Sequence, residues 1–221
     1  MTTLTVADGV HAAFAQLRIA AVTADGVDNT ATWPEVADRL DAVEQSGTEL
    51  GEDDPRIASW HAAYRSFGTN PRRQRPSVDA LTRRLGRTGR LPRISPLVDA
   101  YNLVSVTHVV PAGAFDLDRV DGDIAVRFAV PGDAFTPLGE PGTVEHPHDG
   151  EVVYADATGV LTRHWNHRDA DRTKVTPASR RVLIVLEAID AAHHATVDAA
   201  ADDLVALLTP HAKAVTVELI S

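Results

Sequence analysis

Seven consecutive residues, Arg163, His164, Trp165, Asn166, His167, Arg168 and Asp169, are the densest concentration of chemistry in this chain, and Thr173 and Lys174 follow closely. Imidazole, indole, amide, guanidinium and carboxylate groups here share about one turn of chain. Such a set can stack a base, clamp a phosphate and supply a group that titrates near neutral pH. The alternative is a hydrogen-bonded structural turn in which Trp165 plugs the core and Arg168 pairs with Asp169 or Asp156. Two isolated polar residues stand elsewhere: Asn102, on a helical stripe with Val98 and Ser105, and Glu187, at the end of an apolar strand pattern. Taken alone, Asn102 reads as a residue satisfying nearby backbone and Glu187 as a carboxylate at a sheet edge.

Other motifs carry less. His146 and His148 form H-x-H, His164 and His167 form H-x-x-H, and His193 adjoins His194. None has a third ligand at a diagnostic spacing, so the expectation is no metal and no cofactor. No phosphate-binding glycine loop, dinucleotide fingerprint or G-x-S-x-G elbow is present. Cysteine is absent, which excludes disulfides and thiol nucleophiles and fits a cytoplasmic protein.

The elements that must hold these residues follow from periodicity. Val10 to Ala24 reads as a helix giving way to a strand. Trp33-Pro34 opens a helix carrying Val36, Leu40 and Val43, and a second runs from about Pro55 to Phe67. Ser77 is expected to cap a third, bearing Leu81 and Leu85 inward, and Ser95-Pro96 to start a fourth, with Leu97, Tyr101 and Val104 on one face. Beyond Pro111 the pattern turns to strands: Ile124 to Val130, Glu151 to Ala155, Val160 to Trp165 and Val182 to Glu187. A helix over about Ala195 to Leu208 and a strand over Ala214 to Ile220 close the chain. The expected architecture is one α+β domain over residues 1–221, helices concentrated in the first half and a mixed or antiparallel sheet in the second.

Charge is uneven. The formal net charge is -10, yet Arg72 to Arg93 holds eight arginines against the single acid Asp79, leaving -17 for the remainder. A basic strip on an acidic body suits a partner that is anionic at one place and repels polyanions elsewhere; the competing reading is a face paired with acids across the fold. No apolar run is long enough to cross a bilayer, and no export leader is visible at the start.

From Arg83 to about Glu187 the order of motifs resembles the B3/B4 editing domain of the phenylalanyl-tRNA synthetase β subunit. The matching pieces are TRRLGRTGRLPRISPLVDAYNLVSVTHVVPAGAFDLDRVDGDIAVRFAVPGD, EVVYADATGVLTRHWN and VLIVLEAID. The resemblance implies a β-sheet barrel or sandwich flanked by helices, residues 1–76 forming an N-terminal strand and helical extension to a family core over 77–221. It implies a pocket for the aminoacylated 3' end of tRNA and metal-independent hydrolysis of a wrongly charged ester, or tRNA or amino-acid binding without catalysis. By that resemblance Asn102, Glu187 and His164 are the catalytic candidates. Gly113, Trp165, Asn166, His167, Arg168, Asp169 and Thr173 are the substrate-binding ones, and Arg72, Arg73, Arg83, Arg84, Arg87 and Arg90 face tRNA. Neither DNA nor membrane is an expected partner. Gly113 stands where the family pattern has a histidine, and bulky polar residues replace its glycine-rich loop at 163–169, so tyrosine recognition is not implied.

Overall fold

The computed structural model describes residues 2–47 and 50–221. In chain order it contains β1 (Leu4–Val6), α1 (Asp8–Ala13), β2 (Arg18–Asp25), α2 (Pro34–Ser46), α3 (Pro55–Ser66), α4 (Ser77–Thr88) and α5 (Pro96–His108). Then come β3 (Ala112–Asp116), β4 (Ile124–Phe128), β5 (Val152–Ala155), β6 (Val160–Arg163), β7 (Arg168–Asp169), β8 (Arg181–Ala188), α6 (His194–Leu208) and β9 (Ala214–Ile220).

The strands form two open sheets. One is antiparallel in the order β3-β8-β2-β9; the other runs β1-β4-β5-β6-β7, with β1 parallel to β4 and the remaining pairs antiparallel. The expected α+β mixture holds, but neither sheet closes into a barrel. Because alternate strand residues face opposite sides, the first sheet can bury both faces. Ala20, Val22, Ala24, Ile184 and Leu186 lie under a helical layer containing Trp33 and Leu40 of the α2 region, Leu97 and Leu103 of α5 and Leu204 of α6. From the other face, Ile19, Ala21, Leu183 and Val185 meet Val126, Val152, Tyr154 and Leu161 of the second sheet. The layers are therefore helices, sheet, sheet.

The helix periodicities translate directly into burial: α2 hides Val36 and Leu40, and α3 hides Ile57, Trp60, Ala63 and Tyr64. The caps differ from expectation. Pro76, not Ser77, precedes α4, and the Ser77 hydroxyl accepts from the backbone N–H of Ala112 at 3.3 Å instead. Ser95 does precede α5, yet its buried hydroxyl has no partner among the described residues; Asp99 closes that end by accepting from Ile94 N–H at 2.8 Å. Strands β1, β3 and β7 are too short or too glycine- and alanine-rich to show a period-two pattern, and β1 and β2 bring the N-terminal segment into both sheets. Among the described residues no helix is long and apolar enough to cross a membrane.

Candidate functional site

Strand β8 is the inner neighbour of both β3 and β2, and period-two alternation puts Glu187 on the same face as Leu183 and Val185, toward the second sheet. The carboxylate is thus in the inter-sheet core, 1% exposed, rather than at a sheet edge. An isolated carboxylate there would be prohibitive, so it must be hydrogen-bonded. Tyr154 O–H and Trp165 Nε1–H donate to Oε1 at 2.5 and 2.7 Å, and Asn166 Nδ2–H donates to Oε2 at 2.9 Å. The far side of the Asn166 amide is fixed as well, since Tyr64 O–H donates to its Oδ1 at 2.7 Å. All of these donors are neutral, and burial pushes the Glu187 carboxyl above its usual range, the hydrogen bonds opposing it.

The turn that delivers Trp165 and Asn166 joins β6 to β7. His164 and Trp165 both have left-handed backbones, φ 47° and 65°. Two successive non-glycine residues there are strained, roughly 1–3 kcal/mol each, and persist only where their surroundings fix them. His164 N–H is held by Glu151 Oε1 at 2.9 Å and Trp165 N–H by the Val152 carbonyl at 2.7 Å. Edge-on packing of the Trp165 ring on Phe14 and Trp60, centroids 4.9 and 5.3 Å away, completes the clamp. The indole does plug the core, as the structural reading of this turn expects, and its N–H simultaneously meets Glu187.

Beside Glu187 lies a cavity of about 50 Å³ lined by Ser77, Gly113, Tyr154, Trp165, Asn166, His167 and Asp169, among others. At ~10–15 Å³ per water-sized group it admits roughly three to five such groups. Among the described residues no lysine or arginine lines it. Asp169 is its second acid: burial pushes that carboxyl up to about 6, opposed only by the Thr162 hydroxyl, which donates at 3.2 Å. A side chain on Gly113 would start 3.9 Å from Asp169 Oδ1 and 3.8 Å from Val185, with ordinary contacts and no positive φ. The position is therefore open space facing an acid.

The 163–169 turn is a partition. Trp165, Asn166 and Asp169 face the inner cavity, whereas Arg163, His164 and Arg168 line an outer pocket of about 440 Å³ with Thr69, Arg73, Glu145 and His148; His167 borders both. His164 therefore does not share a hollow with Glu187. Burial drives its imidazole down to about 4 against the pull of Glu151, so it is neutral at physiological pH. His167 is also lowered by burial, and its Nδ1 is tied to the Arg75 carbonyl at 2.8 Å. Arg168 pairs with Glu140 at 2.6 Å, and Asp156 with Arg172, so neither partner foreseen for Arg168 is used.

Asn102 is buried on α5 and does not line the inner cavity. Thr173 is buried outside it too, its hydroxyl without a partner among the described residues and its carbonyl accepting from Asp116 N–H. The residues missed from sequence are Tyr64, Tyr154 and Ser77. A tyrosine on an apolar strand or helix face is indistinguishable from core by pattern alone, and only the fold shows where its hydroxyl points.

The arginine strip divides. Arg83 pairs with Asp79 at 2.7 Å and with Glu52, Arg75 with Asp79 at 2.9 Å, Arg72 with Glu52 at 3.2 Å, and Arg93 with Asp41 and Glu44. Asp79 is wholly buried and takes a third bond from His61 at 3.0 Å, so these pairs tie α4 to the body. Arg73, Arg84 and Arg87 remain exposed with no acidic partner among the described residues, whereas the exposed Arg90 helps to hold the Glu44 carboxyl low.

A two-sheet, one-helical-layer α+β domain with a neutral-donor-held acid in its inter-sheet cavity defines the class. The B3/4 domain model matches residues 59–212, and the chain belongs to that family. Phenylalanine–tRNA ligase β subunits are similar in sequence. That of Anaeromyxobacter dehalogenans (strain 2CP-C) is 36% identical over 110 residues, covering 49% of this chain and 13% of that protein. That of Idiomarina loihiensis (strain ATCC BAA-735 / DSM 15497 / L2-TR) is 41% identical over 110 residues, 50% and 13% respectively. The chain thus corresponds to a small part of the length of these relatives. In fold it is similar to the crystal structure of an N-terminal fragment of the phenylalanyl-tRNA synthetase β-subunit from Pyrococcus horikoshii. That match has a TM-score of 0.52 at 14% identity and covers 99% of this chain and 50% of the other.

Proposed function

We propose that this chain binds the aminoacylated 3' end of a tRNA and hydrolyses its ester, as a deacylase of mischarged tRNA. The observation that carries the reading is the cavity in which Glu187 and Asp169 stand without a cationic side chain. One buried and one half-buried acid with no lysine or arginine beside them suit a ligand that brings its own positive charge, and an aminoacyl ester presents an α-ammonium group beside the scissile carbonyl. Glu187, its orientation fixed by Tyr154, Trp165 and Asn166, takes the ammonium.

Asp169, with a carboxyl near 6, is ionised enough at neutral pH to draw a proton from water and basic enough to use it. The Ser77 hydroxyl accepts from Ala112 N–H and keeps its own proton for the oxygen that becomes negative during attack. An ester already activated by its tRNA leaving group needs little beyond such positioning. The exposed Arg73, Arg84, Arg87 and Arg90 offer the phosphate contacts, within an otherwise acidic chain that disfavours indiscriminate nucleic-acid binding.

A second reading, a module that binds tRNA or an amino acid without turnover, is favoured by one observation. No imidazole stands at Gly113, and His164 opens into the other pocket. Purified protein incubated with a panel of mischarged tRNAs separates the two. Deacylation abolished by Asp169→Asn supports the hydrolase. An intact panel, beside a synthetase control that clears its own substrate, leaves the binding reading.

A further inference from the structure

On the outer side of the 163–169 turn, residues from two separate segments, 148–151 and the turn itself, converge. His148 Nε2, Glu151 Oε2 and His164 Nδ1 all lie within 4.8 Å of one another, and the group opens onto the outer pocket. We propose that His148, Glu151 and His164 form a binding site for a borderline divalent cation, of which Zn²⁺ is the natural occupant, with one coordination position open to the pocket.

The spacing supports it first. Ligand atoms about 2.0–2.1 Å from a tetrahedral centre stand about 3.4 Å apart. Glu151 Oε2 is 3.4 Å from His164 Nδ1 and 3.7 Å from His148 Nε2. The two imidazole nitrogens lie within 4.8 Å of each other, so side-chain movement that draws the rings together closes the set.

The tautomer supports it independently. His148 Nδ1 contacts the Asp149 carbonyl at 2.9 Å, an oxygen that can only accept, so the ring proton sits there and the Nε2 lone pair points into the cluster. This is the carbonyl-to-imidazole arrangement that orients histidines on metals. Thr69 Oγ1 stands between the rings, 3.3 Å from His148 Nε2 and 2.9 Å from His164 Nδ1. In the tautomer a metal requires, both ring nitrogens present lone pairs, one hydroxyl proton satisfies only one of them, and a cation satisfies both.

Glu151 is already oriented. Arg163 Nε and Nη2 grip it at 3.0 and 2.8 Å, and the backbone N–H groups of His164 and His148 add bonds at 2.9 and 3.2 Å. A cation at Oε2 shares that oxygen with Arg163, so the neighbouring guanidinium keeps affinity below that of an unopposed site. Two imidazoles with one carboxylate favour Zn²⁺, Ni²⁺ or Co²⁺ over Mg²⁺ and Ca²⁺, which prefer all-oxygen shells. The site depends neither on ester hydrolysis nor on tRNA, since it lies across the turn from Glu187.

The test is calorimetric titration of the metal-free, untagged chain with Zn²⁺, and Co²⁺ absorption spectroscopy alongside. Expected are one saturable Zn²⁺ per chain and a tetrahedral Co²⁺ band. His148→Ala, at a half-exposed position, weakens Zn²⁺ binding by at least about tenfold. His164→Asn, an amide residue that tolerates the left-handed backbone, does the same, while His146→Ala leaves it unchanged. Absence of saturable binding to the wild-type chain, or full retention of it in His148→Ala, overturns the proposal.

Discussion

Trp165 Nε1 donates to Glu187 Oε1 at 2.7 Å, joining a strained turn between β6 and β7 to the inner strand of the opposite sheet. The bond accounts for both oddities. The left-handed backbone at His164 and Trp165 is what turns the indole inward, and the buried carboxylate is tolerable because the indole arrives. Neither residue is understandable alone: without Glu187 the indole N–H is an orphan in the core, and without Trp165 the carboxylate loses one of its three donors.

Glu187→Gln tests this arrangement. The new amide can present its oxygen to Tyr154 and Trp165, but its NH₂ then meets the NH₂ of Asn166, whose orientation Tyr64 fixes. One buried donor is left unpaired, costing about 1–3 kcal/mol in urea unfolding. Adding Tyr64→Phe frees Asn166 to turn, so the double variant loses less than the sum of the single losses. Strict additivity in the cycle shows that the donors do not act as one network.

The carboxyl of Asp169 is raised to about 6 in the fold, against about 3.9 in an unfolded chain. Over that window the folded chain binds the additional proton, so this group's contribution is fully present below about pH 4 and is lost as pH rises through about 6. The two-unit difference bounds the effect at about 3 kcal/mol. Other acids, including Glu151 held low by Arg163 despite its burial, slope the other way. The measurement is therefore the difference between wild type and Asp169→Asn: the variant gains relative stability between pH 4 and 6, then keeps a constant margin. Equal pH profiles put the carboxyl at its ordinary value.

Legibility in the sequence followed the physics of each element. Helices with three or four apolar residues at helical spacing, such as α2 and α3, are written in the pattern, as are β8 and α6. β3 is not, because Ala112, Gly113 and Ala114 carry little hydrophobic contrast, although this strand lines the cavity. The 163–169 turn announces itself by composition, but composition could not say which side chain faces which side. Sequence grouped His164 with Glu187; two left-handed residues send them to opposite sides of a partition. In the same way His148 and His164 stand sixteen positions apart, and no spacing rule joins them.

Gly113→Ala separates conformational need from space. The residue has an ordinary backbone, and an added methyl meets atoms no closer than 3.8 Å. Stability therefore changes by less than about 1 kcal/mol, rising if anything, because the unfolded chain loses freedom. Occupancy of the cavity is what changes: binding of a small primary amine, followed by calorimetry, weakens as the methyl takes up part of about 50 Å³. Unchanged amine affinity places that ligand elsewhere.

Arg84, Arg87 and Arg90 are exposed and none forms a direct ion pair among the described residues, although Arg90 lowers the nearby Glu44, whereas Arg83 bridges Asp79 and Glu52. Substituting one of the first three by alanine leaves folding intact, because no buried acid depends on it. Each that meets a phosphate then lowers the slope of log K against log salt for tRNA binding by about one. Arg83→Ala behaves oppositely: Asp79, at 0% exposure, keeps Arg75 and His61 but loses a direct ion pair, and unfolding free energy falls by about 1–3 kcal/mol. Nitrocellulose filter binding at several salt concentrations, with thermal melts of the same samples, reads both effects. A salt slope unmoved by the triple variant Arg84→Ala/Arg87→Ala/Arg90→Ala removes this helix from the tRNA contact.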